Sequence, residues 1–131
     1  MQHVPLALGE ISSGAAPVEH PVPVYPRELL AARLPPQAIQ ARLVVDTAGR
    51  VIAVRIVDEM QADPQRQPFA EAVRAAAMRW TFQPLHVSQW AADAQGNSHE
   101  VGGEMRPFSV DYVFRFAWKD GQPVTEASAS R

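Results

Sequence analysis

The chain has 131 residues, 47% of them hydrophobic and 20% charged, with a formal net charge of −2 at neutral pH. That leaves room for one domain with a real core plus short tails, and the Lys and Arg residues are scattered rather than gathered into the basic stripe a nucleic-acid partner needs. There is no cysteine, which excludes disulfide staples, thiolate zinc sites and a cysteine nucleophile without fixing the redox compartment. The apolar runs are only a few residues long, so neither a membrane-spanning helix nor a signal peptide is expected.

Prolines are dense between Pro5 and Pro36, and the run Pro17, Pro21, Pro23, Pro26 favours extended chain that cannot join a sheet interior. Residues 1–20 are therefore read as a flexible, proline-containing arm or linker, and residues 21–119 as the folded domain. Pro26 suits a first helical position and Glu28 suits the positive end of a helix dipole, which predicts a short helix from Pro26 to Leu34, stopped by Pro35 and Pro36. Ile39, Ala41, Leu43 and Val45 then alternate with polar neighbours as in a half-buried strand. Asp46 to Arg50 carries hairpin chemistry, with Gly49 free to take positive φ, and a second strand is expected from Val51 to Asp58. Glu59 to Gln67, with Pro64, reads as a polar loop.

Phe69, Val73, Ala76 and Trp80 fall on one face of an amphipathic helix. Trp80, Phe82 and Pro84 then alternate with Thr81 and Gln83, so the helix runs into a short extended piece that Pro84 ends. Residues 85–106 are glycine-bearing and acidic and read as a long hairpin connection. The closing strand has Phe108, Val110, Tyr112, Phe114, Phe116 and Trp118 on one face and Ser109, Asp111, Arg115 and Lys119 on the other, so it anchors the core through its aromatic side. Residues 120–131 read as a flexible tail.

The order Tyr25-Pro26, helix, strand, Asp46-Thr47-Ala48-Gly49-Arg50-Val51, strand, Phe69-Ala70-Glu71-Ala72-Val73, Trp80-Thr81-Phe82-Gln83-Pro84 and a closing aromatic strand resembles the C-terminal domain of the TonB energy-transducer family, over residues 22–118. The resemblance implies an α+β fold, a two-layer sandwich in which a small antiparallel sheet of about three strands packs against one or two helices. It also implies a periplasmic module that captures an extended segment of an outer-membrane transporter by β-strand addition for energy-coupled transport. Carried over by matching position, the receiving edge is the closing strand, with Ser109, Asp111, Val113 and Arg115 tuning selectivity. The second contact region is Val22-Pro23-Val24 with Tyr25 and Pro26; where the family carries a glutamine, this chain has Val22.

A strand at the rim of a small sheet leaves unpaired N–H and C=O groups, so the physics of such a module favours binding over catalysis. The alternative function is a freestanding scaffold or assembly module of a cell-envelope complex without force transduction, and a homodimer through strand exchange is a further expectation. An enzyme reading would need His86, Asp93, His99 and Glu100 to form a metal or acid–base cluster. Their spacing fits no ligand motif, and a long loop holds ligands poorly. With no phosphate loop, nucleophile elbow or dinucleotide fingerprint either, no catalytic residue, metal or cofactor is expected.

Overall fold

A computed structural model describes residues 2–3, 10–57, 66–92 and 94–130. Ten strands and one α-helix occur among them: β1 (Gln2–His3), β2 (Glu10–Ser13), β3 (Pro17–Glu19), β4 (Gln37–Val45), β5 (Val51–Ile56), α1 (Gln67–Ala77), β6 (Thr81–Phe82), β7 (Leu85–Ala92), β8 (Ser98–Arg106), β9 (Phe108–Lys119) and β10 (Gln122–Ala129).

β9 organises the main antiparallel sheet. Residues 108–116 pair with β4, which in turn pairs with β5. On its other side β9 pairs with β10 over residues 112–119 and with β1 at Ser109 and Val110, so β10 and β1 lie end to end along one edge. A second sheet has the order β2-β7-β8, and β3 pairs with β6 in a third.

The alternation read in β4 is realised: Ile39, Ala41, Leu43 and Val45 are buried while Gln40 and Arg42 face solvent. Its turn is held by Asp46, whose Oδ1 accepts hydrogen bonds from the N–H groups of Ala48 and Arg50, both at 2.9 Å. Gly49 has φ 87°, and a Cβ there would stand 2.0 Å from the carbonyl oxygen of Phe82, whose own N–H donates back to the Gly49 carbonyl at 2.8 Å. Only glycine satisfies both the left-handed backbone and this close approach.

Helix α1 buries Phe69, Ala70, Val73, Ala76 and Ala77. Its end tightens, with Arg79 N–H donating to the Ala76 carbonyl and Trp80 N–H to the Ala77 carbonyl, which delivers Trp80 and Phe82 into the core. There the aromatic face of β9 meets them edge-on, with Trp80 4.8 Å from Tyr112 and 5.6 Å from Phe114 and Phe82 5.7 Å from Phe108, while Phe69 of α1 lies tilted against Phe116 at 4.9 Å. Each such ring contributes about 1.5–3 kcal/mol through burial, enough to hold the helix against the strand.

The expected α+β two-layer sandwich, with about three strands against one or two helices, is overturned. Among the described residues strand accounts for 55% and helix for 14%, and the architecture is mostly β with three sheets. Two differences account for the shift. Pro26 to Leu34 forms a single 3-10 turn, Arg27–Leu29, followed by irregular turns with Arg33 at φ 44° rather than a helix. Strands also form where side-chain alternation is weak: the segment read as an arm supplies β1, β2 and β3, the long connection is the β7–β8 hairpin, and the segment read as a tail is β10. β3, β8 and β10 have no fully buried side chain and are joined by backbone pairing, so hydrophobic patterning carries little trace of them. Most of the expected polar loop from Glu59 to Gln67 lies outside the described residues. Among the described residues no helix is long and apolar enough to cross a membrane.

Candidate functional site

The two expected contact regions have different fates. Residues 20–25 form an extended strap over α1 and Trp80. The Trp80 indole Nε1 donates to the Pro21 carbonyl at 2.8 Å, and the His20 ring stands edge-on to the indole at 5.7 Å. Strict alternation follows: Pro23 and Tyr25 point inward, whereas Val22 and Val24 point out, 50% and 80% exposed. Tyr25 is a core residue, packed against Phe69 and Phe116, with its hydroxyl accepting from Trp118 Nε1 at 3.2 Å. Pro26 is buried too. Of the expected partner contacts in this region, Val22 and Val24 are therefore presented to solvent and Pro23, Tyr25 and Pro26 are structural.

The expected receiving edge at Ser109, Asp111, Val113 and Arg115 needs correction, because β9 is an interior strand. β4 fills one side of residues 108–116, while β1 and β10 fill the other. The side chains on its polar face are engaged across the sheet: Arg42 Nε and Nη2 grip the two carboxylate oxygens of Asp111 at 2.8 and 3.1 Å, and Arg115 Nη1 donates to Ser128 Oγ at 2.9 Å. The hydrogen bonds that Arg42 donates to Asp111, reinforced by the carboxylate charge, raise the Arg42 pKa above its ordinary value.

The open border is one strand further out. Asp120 and Gly121 both have positive φ, 52° and 76°, which makes Lys119 to Gln122 a tight two-residue hairpin. In such a hairpin Lys119 and Gln122 exchange both hydrogen bonds, so Val124, Glu126 and Ser128 also point their backbone groups toward β9. The next residue in that series, Ser130, donates its N–H to the Asp111 carbonyl at 2.8 Å, in keeping with this register. The backbone N–H and C=O groups of Thr125, Ala127 and Ala129 consequently face away from β9, and no described strand pairs with them. Pro123, the first residue in the outward series, has no N–H to offer and ends the usable edge toward the turn.

Between this edge and the strap runs a groove of about 440 Å³ whose lining includes Trp80, Tyr112, Val22 and His20 together with residues 125–129 of β10. It meets a second hollow of about 260 Å³, bounded by residues 14–17, through shared Pro17, Tyr112 and Ala129. Thr125, Ala127 and Ala129 stand in register with Phe116, Phe114 and Tyr112, so their small side chains share the aromatic face of the sheet and leave the Tyr112 phenol half-exposed at the rim, beside the buried Trp80. Partial burial raises the Tyr112 pKa above the ordinary phenol value. On the other side of the strap, Val22 and Val24 border a smaller hollow against Ala72 and Ala75 of α1 and Arg79 just beyond it, so Val22 stands on the crest between two concavities.

Of the residues an enzyme reading would need, the described ones are spread along the second sheet. His86 pairs with Met105, His99 with Ala91 and Glu100 with Trp90, and Asp93 lies outside the described residues. The residues missed by sequence reasoning are Thr125, Ala127 and Ala129; the Asp120-Gly121 dipeptide was the signal for the hairpin that creates their edge. Comparison with protein-family models, curated proteins and solved structures found no match to this chain.

Proposed function

We propose that this chain is a protein-binding module of the bacterial cell envelope that captures an extended segment of an outer-membrane transporter by β-strand addition, the role implied by the TonB resemblance. The observation that carries this reading is the unpaired outer edge of β10 beside an aromatic-floored groove. Main-chain hydrogen bonds to Thr125, Ala127 and Ala129 supply affinity, and the groove and the exposed Val22 supply selectivity. The receiving strand is β10 in place of β9, and the periplasm is the compartment the resemblance implies.

The test is an amide-resolved titration with peptides taken from the N-terminal segments of outer-membrane transporters. The amides of Thr125, Ala127 and Ala129 should shift and gain protection from exchange. Ala127→Pro removes an outward donor without breaking a bond to β9, so it should abolish capture and leave the melting curve nearly unchanged. No response along β10 to any segment would overturn the proposal. One observation favours a second reading, an assembly module without force transduction: the closing aromatic strand, which receives the transporter segment in the family, has both sides filled here. Strand addition by extended peptides in general, with no preference for transporter segments, would select it.

A further inference from the structure

Granting the reading of β10 as a strand acceptor, the chemistry of its captured segment can be taken further. Residues of an added strand that stand opposite Thr125, Ala127 and Ala129 place their side chains on the aromatic side of the sheet, above the groove. The β10 side chains there are a threonine and two alanines, so the space beside Trp80 and Tyr112 is left for the guest. A volume of about 440 Å³ with an aromatic floor takes bulky aliphatic or aromatic side chains, and small or charged ones would leave it unfilled or unpaired.

The intervening guest residue meets the opposite face at Glu126. Glu126 lies directly across from Arg115, yet the Arg115 guanidinium is turned to Ser128 Oγ, and no ion-pair partner of Glu126 occurs among the described residues. It is also the one carboxylate bordering the groove. A cationic side chain between two large apolar ones completes both faces at once: the apolar pair enters the groove and the cation meets Glu126.

We infer that the β10 edge selects extended segments in which two large apolar residues, two positions apart, flank a lysine or arginine. The occupant is thus a basic-apolar alternating strand.

The experiment uses the full chain and four blocked peptides of one length: leucine–lysine–leucine at the centre of a threonine frame, the same with both leucines changed to alanine, the same with glutamate in place of lysine, and a version with the lysine moved next to a terminus. Binding is read by calorimetry and by amide shifts at residues 122–129. The first peptide should bind along β10. Loss of the leucines should weaken it roughly tenfold or more, and lysine to glutamate by about two- to fivefold or more, since an attractive cross-strand pair becomes repulsive. Glu126→Lys, its fold checked by melting, should reverse the charge preference. Ala127→Trp, which fills the groove from the protein side, should remove the preference for leucine over alanine. If all four peptides bind β10 equally, strand addition stands and this selectivity is overturned. If none perturbs β10, the acceptor reading falls with it, and binding on α1 in place of β10 refutes both.

Discussion

Trp80→Ala probes the joint on which the groove and the core both depend. The indole is 2% exposed, lies within ring contact of Tyr112, Phe114 and Phe82, and donates its N–H to the Pro21 carbonyl that pins the strap. Truncation removes the transfer free energy of a large ring and leaves a cavity whose walls, made of sheet and helix, collapse poorly, so the expected loss is about 3–5 kcal/mol. Trp80→Phe separates the terms: it keeps most of the apolar contact and deletes the donor, for a cost of about 1–2 kcal/mol. At about 4 °C per kcal/mol for a chain of this size, the melting temperature should fall by about 12–20 °C for alanine and about 4–8 °C for phenylalanine. Urea unfolding followed by far-ultraviolet circular dichroism measures both. Exchange of the amides of His20, Val22 and Val24 should accelerate in Trp80→Phe, because the strap has lost its anchor. An alanine variant within about 1 kcal/mol of the parent would refute the core assignment, whatever the phenylalanine variant does.

Gly49→Ala should destabilise by about 2–4 kcal/mol, since it combines a left-handed backbone with a Cβ 2.0 Å from the Phe82 carbonyl oxygen; Gly96→Ala, at φ 82° but with nothing within 4 Å, should cost about 1 kcal/mol in the same denaturation assay. Val113→Pro should break the main sheet, because Val113 is paired with both Gln40 and Ser128, so a loss of about 3 kcal/mol or more is expected, in contrast to Ala127→Pro on the open edge. The raised pKa of Tyr112 means that the folded state holds the phenol proton more tightly than the unfolded chain. That stability is fully present below the unfolded value near pH 10 and is lost as pH rises through the folded one, so unfolding free energy should fall as pH rises above about 10 and fall less steeply in Tyr112→Phe.

What could be read from the amino-acid order follows from which faces are buried. β4, the Asp46–Arg50 turn, α1, the Trp80-x-Phe82 step and β9 each commit a row of apolar side chains or a special backbone angle to the core, and each was visible beforehand. β8 has no fully buried residue and β10 has only Thr125, Ala127 and the flanking Ser130 half-buried, so nothing in their side chains announces a strand. Pro17 and Pro123, which argue against sheet interiors, are compatible with edge strands such as β3 and β10.

The same asymmetry explains why the aromatic face of β9 was legible as core while the open edge was misplaced. Side-chain alternation along β9 says which face is wet, but it says nothing about which flank is hydrogen-bonded, because pairing uses only backbone groups common to every residue. Locating the free flank needs one more fact, the Asp120-Gly121 hairpin, and that turn moves the border from Ser109–Phe116 out to Thr125–Ala129. The move also changes what the border can recognise. Beside β9 a strand would stand against the ion pair of Arg42 and Asp111; the edge of β10 instead borders the groove lined by Tyr112, Trp80 and Glu126, and the selectivity we infer for it, by apolar bulk and by sign of charge, follows from that displacement by one strand.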